Sequence, residues 1–167
     1  MRLDRQLARS GLLHRYRDIA FYLANDGEID PYRFLQRCHK LGKRCYLPVL
    51  APGKQLRFVR YRPGDRMNRN RFGIPEPRRR HLRRPTWLLG LVLLPLVGFD
   101  RHGARLGMGG GFYDRSLAYQ QRQPSLPMPR LVGLAHRCQE VEKIPLESWD
   151  IPLSLIVTDR AVVETGR

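Results

Sequence analysis

Apolar and polar positions recur with two different periods along this chain, and the changes of period mark its elements. Residues 3–16 set leucines among arginines at three- to four-residue intervals, which predicts one amphipathic helix. DIAFYLA, residues 18–24, is a short and nearly unbroken apolar run, the pattern of a buried strand. NDGEID follows as a turn broken at Asp26-Gly27. Asp30 stands where it can cap a helix begun by Pro31. Phe34, Leu35, Cys38 and Leu41 share one face of that helix, and Gly42 ends it. RCYLPVL, residues 44–50, is the next strand, and a strand–helix–strand unit pairs its strands in parallel.

LRFVRYR, residues 56–62, alternates apolar and basic residues and predicts a half-exposed strand. Residues 63–85 crowd prolines, glycines and arginines into what reads as a long surface loop with room for one short helical turn. Loops of that length inside a domain are uncommon without a function; a solvated basic linker is the competing reading. GLVLLPLVGF, residues 90–99, is continuously apolar, as a central strand covered on both faces must be. Residues 112–121 have helical character, and RLVGLAH (130–136), LSLIVT (153–158) and AVVE (161–164) are further strands. No internal repeat interrupts the pattern. The expected fold is α/β: a single three-layer domain over residues 1–167, with a mostly parallel central sheet and helices on both faces.

Composition narrows the classes. A chain of 167 residues that is 42% hydrophobic can bury a real core. Lys and Arg number 31 against 15 Asp and Glu, a net charge of +16 that attracts polyanions. A basic nucleic-acid module built on Arg78–Arg84 would need aromatics between the arginines for base stacking, and RRRHLRR has none. The 3 cysteines, Cys38, Cys45 and Cys138, form no CxxC, which argues against a disulfide framework or zinc site and fits a reducing cytoplasm. His14, His39, His81, His102 and His136 lack metal-ligand spacing, so a metal-dependent hydrolase is not supported. WLLGLVLLPLVGF is shorter than the roughly 20 residues a membrane span needs, and it contains Pro95. The opening MRLDRQLARS has no apolar core of a signal peptide. A cytoplasmic protein with small-molecule partners and no membrane contact is expected, as a monomer.

The candidate chemistry lies in RLGMGGGFYDRSL, residues 105–117. Four glycines fall within five positions, after a central strand and before a helix, where open α/β sheets bind ligands. Glycines let backbone N–H groups close around an anion, and a helix N-terminus adds partial positive charge. Asp114 stands where a carboxylate can hold Mg²⁺ against phosphate oxygens, with Arg105 and Arg115 to neutralise charge. The competing reading is a tight strand-to-helix turn that needs glycine for its backbone angles alone. Neither common nucleotide fingerprint is present: no GK[ST] follows the glycines, and Phe112 occupies the third glycine of GxGxxG.

LLPLVGFDRHGARLGMGGGFYDRSL closely resembles the signature of the 5-formyltetrahydrofolate cyclo-ligase family. FYLANDGEID, GKRCYLPVL, NRFGIPEP and WDIPLSLIVT match in the family's order, so the resemblance spans about residues 18–158. It implies an enzyme that uses ATP as co-substrate, with Mg²⁺, to convert 5-formyltetrahydrofolate to 5,10-methenyltetrahydrofolate, ADP and phosphate. It further implies that Arg105, Leu106, Gly107, Met108, Gly109, Gly110, Gly111, Phe112 and Tyr113 wrap the ATP phosphates. Met108, Gly109, Gly110, Gly111 and Phe112 also border the folate, Glu28 binds it, and Asp114 and Asp150 are the metal ligands. No residue is singled out as a catalytic acid, base or nucleophile.

Three departures accompany the resemblance. The family's N-terminal basic helix, whose Lys and Arg reach ATP, is expected to be shortened or missing here, because the match begins almost at Met1. Ser154 stands where some members carry a further metal-binding acid, leaving Asp150 the nearest one. Gly110 stands where some members have Lys. An inactive or weakened relative that binds folate or nucleotide without turnover is the alternative these departures leave open.

Overall fold

The structure is a computed structural model, and it describes residues 2–78 and 82–165. Met1 and residues Arg79, Arg80 and His81 of the basic run lie outside the described residues. The helices are α1 (Arg2–Arg9), α2 (Leu12–Arg15), α3 (Tyr32–Lys40), α4 (Phe112–Leu117) and α5 (Tyr119–Arg122). The strands are β1 (Asp18–Ala20), β2 (Arg44–Ala51), β3 (Gln55–Tyr61), β4 (Met67–Arg69), β5 (Pro75–Pro77), β6 (Arg83–Arg84), β7 (Leu91–Pro95), β8 (Gly98–Phe99), β9 (Arg105–Leu106), β10 (Arg130–Ala135), β11 (Leu155–Thr158) and β12 (Val162–Glu164).

Eight strands form one sheet in the order β12-β11-β10-β7-β1-β2-β3-β6. Its middle run, β11-β10-β7-β1-β2, is parallel, and β12, β3 and β6 add antiparallel edges. Side chains alternate across this sheet, as strand geometry requires. Ile19, Leu91, Leu93, Val132 and Leu134 pack with Leu3, Leu7, Leu12, Leu13, Phe34 and Leu35 of α1–α3 on one face. Ala20, Val92, Leu94, Leu131 and Ile156 pack with Leu117 of α4 on the other. This is the three-layer α/β arrangement expected from the sequence, and two apolar faces explain why β7 reads as unbroken hydrophobicity.

Several local expectations are corrected. The helix expected over 3–16 breaks at Gly11, which adopts φ 72°. From Leu7 to Leu12 is five residues, roughly 500° of helical rotation, so a straight helix would turn Leu12 off the buried stripe; the break returns Leu12 and Leu13 to the core. β1 leaves the sheet after Ala20, although Phe21 and Tyr22 remain buried. The helix over 112–121 is divided at Ala118 into α4 and α5.

The presumed loop 63–85 contains a β-hairpin, β4–β5, and the short strand β6. Its prolines concealed it. Asn70 N–H donates to Ile74 O (3.0 Å) and Arg78 N–H to Arg66 O (3.0 Å), so Pro75 and Pro77 fall between hydrogen-bonded pairs, where no N–H is required. Buried Glu76 fixes the hairpin to the sheet by accepting from Leu50 N–H (2.8 Å) and Asn70 Nδ2 (2.9 Å).

The apolar run 90–99 is also not one strand. β7 ends at Pro95, and the chain re-pairs as the antiparallel hairpin β8–β9, with Gly98 opposite Leu106 and Phe99 opposite Arg105. Asp100, 1% exposed, organises the hairpin's turn. Its Oδ1 accepts from His102 N–H (2.9 Å) and Ala104 N–H (3.0 Å), and Oδ2 accepts from Ile144 N–H (3.0 Å). Asp100→Ala strands three donors at once. We expect it to lower unfolding free energy by about 2–6 kcal/mol in urea titrations, since two of the three donors, Ala104 N–H and Ile144 N–H, are buried and each costs about 1–3 kcal/mol when unsatisfied; an unchanged midpoint would remove Asp100 from this role.

Candidate active site

The connections reverse direction between β1 and β7. From β1 the chain goes to β2 on one side; from β7 it goes to β10 and β11 on the other. A crevice opens at the carboxyl ends of adjacent strands whose connections diverge in this way, and ligands of open α/β sheets bind there. Two segments rise on its sides: residues 21–28 after β1, which carry Glu28, and the β8–β9 hairpin after β7, which carries the glycines. The sequence-predicted elements separated by about 80 positions therefore meet at one edge of the sheet.

On the glycine side, Val97 N–H donates to Leu106 O (2.8 Å), closing the hairpin just before the loop. Gly111 adopts φ 60° at the entry to α4, a conformation that disfavours any Cβ. At Gly110 an added Cβ would lie 2.6 Å from the Phe112 ring. Among the described residues, the N–H groups of 107–111 donate to no protein acceptor. Arg115 Nη1 donates to Gly110 O (2.6 Å), so its guanidinium lies against the loop.

Arg105 sits beneath. Its side chain is 9% exposed and donates through Nη2 to Asp114 Oδ1 and through Nη1 to Ile151 O. One buried guanidinium thus ties the first turn of α4 to the residue after Asp150. Asp150 itself accepts Glu147 N–H at Oδ2 (2.9 Å) and caps that turn. Ser154 donates its hydroxyl to Leu131 O (2.9 Å). Among the described residues, no three His, Cys, Asp or Glu side chains converge as a metal cage. Mg²⁺ does not need one: it is commonly held by one or two carboxylates together with substrate phosphates and water. The hard oxygens of Asp114 and Asp150 fit that donor set.

On the carboxylate side, the turn holding Glu28 is built from Asp26 (φ 48°) and Gly27 (φ 77°). Glu28 Oε2 accepts Asn25 N–H (3.0 Å), and Tyr22 donates its hydroxyl to Ile29 O. Burial pushes the Glu28 carboxyl above the usual range, the Asn25 bond pulls it partly back, and Asp26 adds to the rise. Burial also drives the Tyr22 and Tyr113 phenols well above the ordinary tyrosine value, with the Glu28 charge adding to both. Tyr113 lies in the first turn of α4, so Glu28 and the end of the glycine loop are in electrostatic reach of one another.

Sequence reasoning did not single out Phe72. It stands at the tip of the β4–β5 hairpin, 51% exposed, with its ring edge-on to Phe112 (centroids 5.9 Å apart, 86° between planes). Arg71 lies over the same ring at 4.8 Å. Phe72 and Met108, 67% exposed, thus leave apolar surface on the hairpin tip and on the glycine loop. Two signals fell on this segment without singling out Phe72: the length of loop 63–85 and the NRFGIPEP match to the family. Tyr22 lay within the FYLANDGEID match without being singled out, and His136 and Gln139 carried no signal.

The geometry defines a doubly wound α/β domain with its crevice at the sheet's switch point. The 5-formyltetrahydrofolate cyclo-ligase family model matches residues 2–159, and the chain belongs to that family. It is 45% identical over 151 residues to the 5-formyltetrahydrofolate cyclo-ligase of Escherichia coli K12, covering 87% of this chain and 80% of the relative. It is 45% identical over 140 residues to the Haemophilus influenzae protein of the same name, covering 82% of this chain and 73% of the relative. The solved Aquifex aeolicus 5,10-methenyltetrahydrofolate synthetase superposes with a TM-score of 0.78 at 29% identity, covering 99% of this chain and 84% of that one. Among the described residues, no helix is long and apolar enough to cross a membrane.

Glu28 gives a pH test. Its carboxyl is raised in the folded protein, so its contribution to stability is largest below the unfolded-state value and is lost as pH rises through the folded-state value. Glu28→Gln has no such loss. We expect the variant to melt at a higher temperature than wild type at about pH 7, and the two to converge near pH 4, below the ordinary glutamate value. A variant less stable at neutral pH would show that the charge stabilises the turn.

Proposed function

We propose that this protein converts 5-formyltetrahydrofolate to 5,10-methenyltetrahydrofolate, consuming ATP with Mg²⁺ and releasing ADP and phosphate. The observation that carries the reading is the meeting of a partly buried carboxylate turn and an unpaired glycine loop at the sheet's switch point, in a chain 45% identical to a curated cyclo-ligase. The formyl group on N5 is amide-like, and its oxygen is a poor leaving group. Transfer of the ATP γ-phosphoryl group to that oxygen makes it a good one. N10 then attacks the formyl carbon, the ring closes as the C–O bond breaks, and phosphate departs, taking up the proton that N10 loses.

The residues divide this work. The N–H groups of 107–111 cradle phosphate oxygens, with the Arg115 guanidinium beside them. Arg105, being buried, positions Asp114 and the 150–151 turn and leaves phosphate contact to the loop. Asp114 and Asp150 hold Mg²⁺, which when bound neutralises charge on the phosphates. Glu28 accepts N–H donors of the pterin, while Phe72, Met108 and Phe112 form an apolar wall against the ring. No side chain need accept a proton before N10 attacks; the protein's contribution is to align two substrates and stabilise charge. Every residue assigned comes from one chain, so a monomer suffices, and three free thiols suit a reducing cytoplasm.

Purified protein supplied with Mg²⁺-ATP and 5-formyltetrahydrofolate should form product, followed by its near-ultraviolet absorbance. Asp114→Asn should cut kcat by about 100-fold or more and alter the Mg²⁺ dependence; it also removes the charge facing the buried Arg105 guanidinium, so a fall in melting temperature is expected alongside. A role confined to the ion pair with Arg105 would lower the melting temperature and leave the Mg²⁺ dependence unchanged, whereas a metal-ligand role shifts that dependence. An Asn variant with full turnover and unchanged Mg²⁺ dependence would refute the metal assignment. An inert wild type that still binds both ligands would favour the non-catalytic relative.

A further inference from the structure

Three neighbouring parallel strands, in the order β10-β7-β1, end at the crevice. Strands are spaced about 4.8 Å apart, so the exits of β10 and β1 lie roughly 10 Å from each other with β7 between them. Two side chains after β10 bridge that width. Gln139 Nε2 donates to Leu96 O (3.0 Å), at the exit of β7. Gln139 Oε1 accepts His136 N–H (2.7 Å). His136 Nε2 lies 3.2 Å from Gly27 O, in the turn after β1. A carbonyl only accepts, so Nε2 carries the proton and donates it to Gly27.

We infer that His136 and Gln139 are positioning residues: together they lace the exits of β7, β10 and β1 and set the height of the Glu28 turn against the glycine hairpin. The inference rests on the folate role proposed for Glu28. Its weight comes from what else holds that turn. Tyr22 to Ile29, Asn25 to Glu28 and Asp30 to Tyr32 are all bonds within the segment itself. Among the described residues, the His136 bond is the one hydrogen bond that ties residues 23–30 to a segment outside residues 22–32. The turn also places Asp26, which is not glycine, at φ 48°, a conformation that persists only where the surroundings hold it. The other end of the lacing is firm. Gln139 uses both ends of its amide, and Val141 N–H donates to Phe99 O (2.9 Å), pinning the segment after β10 to the glycine hairpin.

His136→Phe keeps a ring and removes the donor; His136→Gln keeps a donor at nearly the same reach. The Phe variant should raise KM for 5-formyltetrahydrofolate by about three- to tenfold, the range one net hydrogen bond allows. Its kcat and its KM for ATP should stay within about twofold, and the Gln variant should recover most of the loss. Gln139→Leu should raise the same KM, and the double variant with His136→Phe should be no worse than the more affected single one, because the two side chains act in series. Hydrogen–deuterium exchange tests the lacing without turnover: amides of residues 22–30 should exchange faster in the Phe variant, with β2 and β11 unchanged. An unchanged folate KM with unchanged exchange would overturn the inference. Equal rises in both KM values with faster exchange throughout the sheet would overturn it too, showing a general structural role. If wild type does not turn over, the folate reading fails by itself, and exchange over residues 22–30 alone decides whether the lacing holds.

Discussion

Two register pairs, Ile19 with Leu91 and Ala20 with Val92, join the halves of this molecule. They are the whole of the β1–β7 pairing, and every other feature of the crevice depends on them. Because these strands run parallel, neither can be followed directly by the other, and each must send its chain away over a face of the sheet. β1 sends it toward β2 and β7 toward β10, so no connection crosses the gap between their carboxyl ends. The gap stays open because burial on both faces holds the seam closed beneath it: Ile19 and Leu91 face one core, Ala20 and Val92 the other.

The two sides of the crevice are held by different physics. The glycine hairpin is fixed from within by the buried Asp100 carboxylate and from below by Arg105, so the loop's free N–H groups stand on a rigid base. The Glu28 turn rests on short local bonds, on the burial of Ile29 in the core and, among the described residues, on one hydrogen bond from across the sheet. Its carboxylate is kept partly away from water, which costs stability and leaves it free to pair with a ligand. A group that is destabilised in the empty protein and satisfied by substrate is a common exchange of stability for binding.

The order of strands and helices was legible because periodicity is local. β2, β3, β10, β11 and β12 lie where apolar runs put them, and Asp30 accepts Tyr32 N–H (2.9 Å) at the start of α3. Two of the misreadings share a cause: each depended on a partner far away in sequence. Nothing local distinguishes β7 from β8 in the run 90–99, since the break exists only because residues 98–99 pair with 105–106. The β4–β5 hairpin was hidden by prolines whose harmless placement is visible only once the register is known. At the site, the glycine cluster was legible from composition as a loop whose N–H groups suit an anion. Glu28 became significant through family resemblance, while Phe72, His136 and Gln139 became so only through contacts that span the fold.

The central claim is that one crevice holds two ligands through two separate arms. Calorimetric titration of Glu28→Gln with each ligand alone tests it most directly. Losing a charged acceptor costs about 1.5–3 kcal/mol, so affinity for 5-formyltetrahydrofolate should fall by about ten- to a hundredfold while affinity for Mg²⁺-ATP stays within about twofold. Equal loss of both ligands, or no loss of either, would contradict the account.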